Sequence, residues 1–593
     1  MKLSRAVSAS RSPLKRRGVF LAAMALLVTL GLAAQLRSYA GPDTGFLLDE
    51  AARALRGDRP YVDLVDMNPP MTLAVNMAAV LLAWRTGISE ILAYRLGCTA
   101  ALLAALLLAV WLLRRLLPEE PVLRRVTALL LGFTLFTLAG QDFGEREHLV
   151  LALVVPYVLL AAARALGRKI STGEALLIGL LAGTAFALKP HFVLLWLAVE
   201  GYLRLTRRVP WGPLLPETVT IAGFLTLYAL AILLWVPGYP QLVRLLAGPY
   251  TQFLHVPFGE LLVRGPGALY TVFALLAFAA LRRHARHPEI LGAFALGALT
   301  CLVAAAAQRK GFGYHFYPSF ALATVVLGLL ALDGRELLRD WVGKVYRVIA
   351  TSALVTVVLV GCVRSAATTI RPTRDLEQQH MELLVPVVRA RAAGEGVYVM
   401  SYNISSAYPL INHAGAHSAS RFPQLWMLPA AYMDQLKGSA PMRYRAPGEM
   451  SASERYLNQG VLEDLRDRRP KLLLILAHAR DLPANGFRRL DYVAYFSRDP
   501  RIAEIFDRYQ LVADVGGHLV YERIADGAER AGPPPSVQPG TRDVVHGPNV
   551  GSVPARIRDP GFQLALLAFV ASAILASMAE KGRASARVTP GSV

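Results

Sequence analysis

The chain has 593 residues, 54% of them hydrophobic, and a formal net charge of +21 at pH 7. Its mean hydropathy of +0.40 is too high for a soluble protein of this length. Repeated apolar runs of about 17 to 25 residues are typical of membrane-spanning helices. Basic residues cluster at the ends of these runs, as the positive-inside rule expects of cytoplasmic anchors, whereas a nucleic-acid-binding domain gathers them on one soluble face. Composition therefore predicts a polytopic membrane protein with no nucleic-acid partner.

The first apolar run, residues 20–35, follows a basic N-terminus and is predicted to be an uncleaved first span that begins in the cytoplasm. The segment 41–71 then lies on the outer side. The next run, 71–84, is shorter than a bilayer requires, and we predict a juxtamembrane or re-entrant helix. The cysteines Cys98, Cys301 and Cys362 lie in or beside apolar runs, so no disulfide framework is indicated.

Further apolar runs then alternate across the membrane. They are predicted at 91–113, 126–139, 149–165, 175–188, 192–205, 218–236, 268–281, 290–307, 320–332, 345–363 and 562–578. The predicted fold class is an all-α polytopic membrane domain of about twelve transmembrane helices, with both termini in the cytoplasm.

Hydropathy falls after residue 363, and short β-rich runs alternate with helical stretches there. The β-rich runs are 396–401, 471–477 and 518–524, and the helical stretches are 376–391 and 501–510. This pattern predicts a C-terminal periplasmic α/β domain. It has no phosphate-binding glycine loop, HExxH or CxxC motif, so we expect an acceptor-binding or structural module. The predicted units are a transmembrane catalytic domain at 1–363, the soluble domain at 364–559, and a final helix with a cytoplasmic tail at 560–593.

The outer loops carry most of the polar side chains near the membrane. Polar groups at that depth are costly and are usually functional or paired. The first outer segment carries the carboxylates Asp43, Asp49, Glu50, Asp58, Asp63 and Asp66, together with Arg59 and Asn68. Later outer loops carry Asp142, Arg146, Glu147, His148, Lys189, His191, Arg309, Lys310, Tyr314, His315 and Tyr317.

Acidic and basic groups together suit transfer from an anionic lipid-linked donor. A carboxylate deprotonates the acceptor hydroxyl, while Arg and Lys stabilise the charge that develops on the leaving phosphate. Arg309 and Lys310 lie outside against the positive-inside bias, which favours a phosphate ligand. Plainer interpretations are a solvated first loop, an interfacial Lys189 and an aromatic belt around His315.

The first outer segment resembles that of the GT-C superfamily of membrane glycosyltransferases. The resemblance lies in the Asp49-Glu50 pair after the first span, in Tyr61, and in the turn that begins at Asn68 and enters an apolar helix. The resemblance covers residues 19–363 and is strongest to the family 39 type, which includes lipid A aminoarabinose transferases and protein O-mannosyltransferases. It implies a polyprenyl-phosphate sugar donor and an acidic catalytic or acceptor-orienting residue in the first outer loop. Asp49 is the first choice for that role and Glu50 the second, and Glu147 matches the helping acid of the second outer loop.

The chain departs from the family at Asn68, where relatives often have a lysine or histidine that meets the donor phosphate. The candidates to replace that contact are Arg59, Lys189, Arg309 and Lys310. Some relatives bind a divalent metal, and Asp49, Asp142 and Glu147 offer oxygen ligands suited to Mg²⁺ or Mn²⁺. We predict no firm metal or cofactor requirement.

The sequence thus predicts a glycosyltransferase of the bacterial inner membrane with its active site on the periplasmic face. It would move a hexosyl or pentosyl group from a polyprenyl-phosphate donor to a periplasmic glycan, lipid or protein. An O-antigen-type polymerase or ligase is one alternative, although its outer loops are usually arginine-rich and lack an acidic pair after the first span. A transporter or flippase of lipid-linked sugars is another; it would place charges at the bilayer midplane in paired, broken helices, and only the break at Lys189 fits.

Overall fold

The structure is a computed structural model that describes residues 13–212, 214–265, 267–333, 341–370, 376–437, 442–476, 490–525 and 527–535. It consists of a helical bundle followed by a smaller part built around a β-sheet. The predicted last span at 562–578 and the final unit at 560–593 lie outside the described residues.

The helices of the bundle follow one another with short connections. They are α1 (Pro13–Arg37), α2 (Pro42–Arg56), α3 (Pro70–Thr86), α4 (Glu90–Leu116), α5 (Pro121–Gly132), α6 (Arg146–Ala165), α7 (Thr172–Leu188), α8 (Val193–Leu205), α9 (Pro216–Trp235), α10 (Gly238–Gln252), α11 (Phe258–Arg264), α12 (Ala268–Leu281), α13 (Pro288–Gln308), α14 (Gly313–Asp333) and α15 (Trp341–Ile370). A π-helical turn, Phe133–Thr137, extends α5.

Seven helices in the described part are long and apolar enough to cross a membrane. The apolar stretches of α6 and α14 are each 89% buried and lie at the centre of the bundle, whereas that of α9 is 11% buried and faces outward. Each predicted span up to residue 363 overlaps a helix, so the polytopic all-α fold is confirmed. The count of twelve stays a prediction, because shorter helices such as α7 do not meet the length for a span.

The first outer segment is a helix where a loop was expected. Pro42 occupies the first turn of α2, where its missing N–H costs nothing. Gly57, with φ 115°, ends the helix in a left-handed conformation that glycine adopts without strain. The ten residues from 44 to 53 are all buried, because the bundle encloses α2 on one side and the soluble part encloses it on the other.

The smaller part, which begins at residue 376 and is called the soluble part below, contains short helices and strands. They are α16 (Leu376–Ala392), β1 (Gly396–Met400), α17 (Leu410–Ala414), β2 (His417–Ser418), α18 (Met427–Ala431), α19 (Met433–Lys437), α20 (Ala452–Arg468), β3 (Leu472–Leu476), α21 (Tyr492–Phe496), α22 (Pro500–Phe506), β4 (Tyr509–Val515) and β5 (His518–Arg523). The strand order is β2-β1-β3-β5-β4. The pairs β2/β1 and β1/β3 are parallel, and β3/β5 and β5/β4 are antiparallel.

The predicted α/β character of this part is confirmed, since the three β-rich runs coincide with β1, β3 and β5. The sequence pattern missed the two edge strands. Strand β2 has only two residues, and β4 begins within the predicted helix 501–510, which ends as α22 at Phe506. The central strand β3 is buried on both faces and reads as a continuous apolar run, LLLIL.

The soluble part shares its cores with the outer helices. Phe46 and Leu47 of α2 belong to one apolar cluster with Val388 and Leu410. A second cluster joins side chains of α10 and of the segment after α2 to α18, α20 and the sheet. The soluble part is therefore packed against α2 and α10.

Candidate active site

A cavity of about 1900 Å³ lies between the bundle and the soluble part. Most of the residues proposed from sequence to bind substrate contribute to its walls. These are Asp66, Asn68, Arg146, Lys189, His191, Arg309, Lys310, Tyr314, His315 and Tyr317. The other candidates lie behind or away from the walls, namely Asp49, Glu50, Arg59, Asp63, Glu147 and His148.

Arg146 begins α6 and reaches into the cavity between two segments of the first outer region. The residue is 6% exposed, and its guanidinium donates hydrogen bonds to Asn68 Oδ1 and to Asp43 Oδ2. Asn68 Nδ2 in turn donates to Asp66 Oδ1 at 2.8 Å. Asn68, where the sequence departs from the family pattern that it resembles, therefore orients an arginine.

Lys189 is held at the break between α7 and α8. Pro190 stops α7, because proline lacks the N–H that the helix needs and restricts the residue before it. The Lys189 Nζ lies 2.9 Å from Glu147 Oε1. His315 Nε2, from the start of α14, lies 3.6 Å from the same oxygen. Glu147 is fully buried, so it fixes two groups of the cavity wall from behind.

Lys310 connects the bundle to the outer helix α10. Its ammonium donates hydrogen bonds to the backbone carbonyls of Tyr250 and Phe253 and lies 4.2 Å from the centre of the Tyr250 ring. Burial lowers the pKa of Lys310 to about 8. Arg309 Nη1 lies 3.4 Å from His255 Nε2. The two cations predicted to meet a phosphate thus stand at the same rim of the cavity, with Lys310 the more firmly fixed.

His148 and Tyr317 both bond to the π-helical turn of α5. His148 Nδ1 accepts from the Gly144 N–H at 3.1 Å, which leaves Nε2 to donate to the Leu135 carbonyl at 2.8 Å. The Tyr317 hydroxyl donates to the Thr134 carbonyl. A π-turn leaves backbone groups that lack their normal helical partners, and these side chains satisfy two of them. His148 is therefore a buried group of the core, and the ring of Tyr317 lines the cavity.

One side of the cavity is apolar. Tyr270 and Phe273 of α12, Phe320 of α14, and Val357 and Val360 of α15 line it. These three helices pack against one another, and two of them are among the helices able to span a membrane. The cavity therefore joins a charged region to an apolar crevice between membrane helices.

The fold of the chain is similar to that of a solved membrane protein. No family model and no curated protein matches the sequence. The crystal structure of ArnT from Cupriavidus metallidurans bound to undecaprenyl phosphate matches with a TM-score of 0.51 and 12% identity, over 87% of this chain and 99% of that one. The chain has a GT-C-type fold. The cryo-EM structure of the arabinofuranosyltransferase AftD from Mycobacteria matches more weakly, with a TM-score of 0.41 and 16% identity, over 86% of this chain and 40% of AftD.

In this fold, the acidic pair proposed as the base lies outside the cavity wall. Asp49 is 6% exposed, and its Oδ2 accepts a hydrogen bond from the Tyr408 hydroxyl of the soluble part at 3.0 Å. Glu50 contacts the Asp66 carboxyl, and burial together with Asp66 raises the pKa of Glu50 well above its usual value. Asp49 thus faces the soluble part, and Glu50 lies behind Asp66.

Arg59 and Asp63 form a pair on the outer surface. Arg59 Nε lies 2.7 Å from Asp63 Oδ2, and this contact lowers the pKa of Asp63 to about 2. The Arg59 side chain is 72% exposed. Neither residue lies on the cavity wall, so the structure does not bring this arginine to the place where a donor phosphate would lie.

Within the part of the chain that the structure describes, no group of three or more His, Cys, Asp or Glu side chains is arranged to hold a metal ion. Of the three candidate ligands, Asp142 lines the cavity, whereas Glu147 pairs with Lys189 and Asp49 accepts from Tyr408. These three acids are therefore not gathered into one site.

Sequence reasoning assigned no role to two acids of the cavity wall, Asp43 and Glu145. Asp43 follows Pro42 in the first turn of α2. Proline and an acid in successive positions are a signal for a helix N-terminus, and that signal was available in the sequence. Glu145 directly precedes α6, and its oxygen lies close to Gly41, a proximity that only the fold reveals.

Proposed function

We propose that this chain is a membrane glycosyltransferase that takes its sugar from a polyprenyl-phosphate donor. The observation that carries the proposal is the meeting, in one cavity, of buried cations, a carboxylate and an apolar crevice between membrane helices. A polyprenyl-phosphate sugar has the matching parts: an apolar chain, an anionic phosphate and a sugar. The likeness in fold to ArnT, which was solved with undecaprenyl phosphate, supports the same class of donor.

The donor phosphate is assigned to Arg146, Lys189 and Lys310, with the isoprenoid in the crevice of α12, α14 and α15. Guanidinium and ammonium groups are the usual partners of phosphate in proteins. His191, Tyr314 and His315 line the same region and are assigned to the sugar or its phosphate. Arg309 stands at the rim and joins this set.

In the proposed reaction, an acceptor hydroxyl oxygen attacks the anomeric carbon of the donor sugar. The new C–O bond forms as the bond from that carbon to the phosphate oxygen breaks, and the bonding electron pair leaves with polyprenyl phosphate. The hydroxyl proton passes to a carboxylate, and the cations stabilise the phosphate that departs. Asp43 is our first assignment for that carboxylate, because it lines the cavity beside Arg146.

Asp49, the choice that the family resemblance implies, remains the second assignment. It acts as base only if the Tyr408 contact opens, because the fold described here turns it toward the soluble part. We further propose that the protein works in the bacterial inner membrane, with the cavity on the periplasmic side and with no metal requirement.

The experiment is a transfer assay with the purified full-length chain in lipid nanodiscs. A set of undecaprenyl-phosphate sugars, each radiolabelled in the sugar, is incubated with the chain and with solubilised envelope acceptors. We expect at least one donor to lose its label to an acceptor with release of undecaprenyl phosphate. Labelled donor that stays intact but crosses the bilayer of a proteoliposome would contradict the proposal and favour a flippase.

A further inference from the structure

The two walls of the cavity differ in charge. The bundle contributes acids and bases, among them Asp43, Arg146 and Lys189. The described residues that the soluble part contributes include no charged side chain: they are Met381 of α16 and aromatic, amide, hydroxyl and apolar groups from two segments, 402–409 and 423–426. A difference this complete divides the cavity into a wall suited to an anion and a wall suited to a neutral, hydrogen-bonding ligand.

The neutral wall has hydrogen-bonding groups that the fold does not use. Trp426 is 7% exposed, and its ring packs against Tyr250 and Phe253 at 5.4 and 5.8 Å between centroids. No described residue accepts a hydrogen bond from its indole N–H, and none bonds to the side-chain amide of Gln424. Both residues line the cavity, so these donors and acceptors can pair with a ligand bound there.

The loop after β1 is shaped to present a further amide. Asn403 Oδ1 accepts from the Ser405 N–H at 3.1 Å, which fixes the side chain and leaves its Nδ2 group as a donor. The Asn403 N–H is itself held by the Ser401 hydroxyl at 3.0 Å. Asn403 and Ser405 are half-buried and line the cavity. A rigid loop that carries amide and hydroxyl groups beside an aromatic ring is typical of a site that orients a polar, uncharged ligand.

We infer that the wall formed by 402–409 and 423–426 binds the acceptor, and that the acceptor is a neutral glycan whose hydroxyl group receives the sugar. This inference rests on the proposed glycosyltransferase function. Amides and hydroxyls pair with sugar hydroxyls, and an aromatic ring covers the apolar face of a pyranose. An acceptor phosphate or carboxylate on this wall would lack the Arg or Lys that anions require.

The test measures acceptor choice and donor turnover in one reaction. The full-length chain in nanodiscs, with labelled undecaprenyl-phosphate sugar, is offered a neutral envelope oligosaccharide, the same oligosaccharide bearing a phosphate, or a Ser- and Thr-rich peptide. We expect kcat/KM to be highest for the neutral oligosaccharide. Replacement Gln424→Ala should raise the KM for that acceptor about three- to tenfold, the scale of one lost hydrogen bond. Gln459→Ala, which removes an exposed amide of α20, is the matched control and should leave the KM unchanged.

Two further variants separate binding from folding. Trp426→Phe keeps a ring and removes the N–H, and should also raise the acceptor KM. Gln424→Arg should shift the preference toward the phosphorylated oligosaccharide, a gain that damage to the fold would not produce. Two results would overturn the inference and leave the proposed function standing. One is donor turnover that puts no label on the neutral oligosaccharide, and the other is an equal acceptor KM for Gln424→Ala and Gln459→Ala. Absence of any donor turnover overturns both.

Discussion

Two acids of one helix, Asp43 and Asp49, have opposite surroundings. Asp43 lines the cavity and accepts from Arg146 of the bundle, whereas Asp49 accepts from Tyr408 of the soluble part. Each residue of an α-helix turns the chain by about 100°, so six residues separate the two side chains by about 240°. Which acid faces the cavity therefore follows from helical phase and not from closeness to the first span.

The same geometry accounts for Glu50. Seven residues from Asp43, it returns to within about 20° of the Asp43 direction, and its carboxyl contacts Asp66. One side of α2 thus carries Asp43 and Glu50 toward the cavity, and the other carries Asp49 toward the soluble part. We interpret the side with Asp43 and Glu50 as the one that takes part in the reaction, and the side with Asp49 as the one to which the soluble part is attached.

The largest expected effect is a difference in transfer activity between variants of the two acids. Asp43→Asn should lower the rate of sugar transfer by about a hundredfold or more, as loss of a general base does. Asp49→Asn should keep most of the activity, because the amide can still accept from Tyr408. Single-turnover rates at saturating donor measure both. If Asp49→Asn is inactive and Asp43→Asn is active, the assignment of the two sides of α2 is reversed.

A second effect concerns the cations on the Asp43 side. Lys189→Met should destabilise the chain by about 3–5 kcal/mol, because it leaves Glu147 buried without its partner. The double variant Lys189→Met/Glu147→Gln should recover most of that stability and yet remain poor in transfer, since the phosphate has lost a cation. Thermal unfolding and the KM for donor are the two measurements. Full activity of the double variant would show that the pair serves only the fold.

The attachment on the Asp49 side predicts a smaller effect, on stability alone. Tyr408→Phe removes the hydrogen bond to a buried carboxylate and should cost about 1–3 kcal/mol. Tyr456→Phe, in the same soluble part, is the control, because its hydroxyl bonds to none of the described residues. Denaturant unfolding monitored by fluorescence compares the two variants. Equal stability of both would mean that the contact to Asp49 contributes little to docking.

The smallest effect is expected for Glu50→Gln. Burial and Asp66 raise the pKa of Glu50 and so favour a protonated carboxyl that can donate to Asp66, and a glutamine amide can do the same. Activity should stay within about threefold of the wild type, which is a smaller change than the loss of one hydrogen bond normally causes. Glu50→Ala is the comparison, since it leaves Asp66 without that donor. A large loss in Glu50→Gln would mean that Glu50 works as a carboxylate.

The fold was predictable because the membrane imposes a length on each apolar run, and the ten runs from 91–113 to 345–363 all overlap helices. Much of the cavity wall was predictable as well, since polar groups such as Lys189 and Arg146 are costly at membrane depth unless they are used. The prediction of a loop was wrong for residues 42–56, which form α2. The helical phase that distinguishes Asp43 from Asp49 was therefore not predicted.

Other parts of the site depend on contacts that no local pattern reveals. His148 and Tyr317 resemble ligand-binding residues in the sequence, yet they bond to backbone carbonyls of a π-helical turn. The Asp49 to Tyr408 contact joins residues 359 positions apart. Such pairings arise from the packing of the soluble part on the bundle, which composition and periodicity do not encode.

The central claim is that the cavity between the bundle and the soluble part holds a polyprenyl-phosphate sugar. The most direct measurement is photo-cross-linking of an undecaprenyl phosphate that carries a diazirine near its phosphate end, followed by peptide mapping on the full-length chain. We expect cross-links in α12, α14 or α15, and their loss when unlabelled undecaprenyl phosphate competes. Cross-links confined to α9, which faces outward from the bundle, and insensitive to competition would contradict the account.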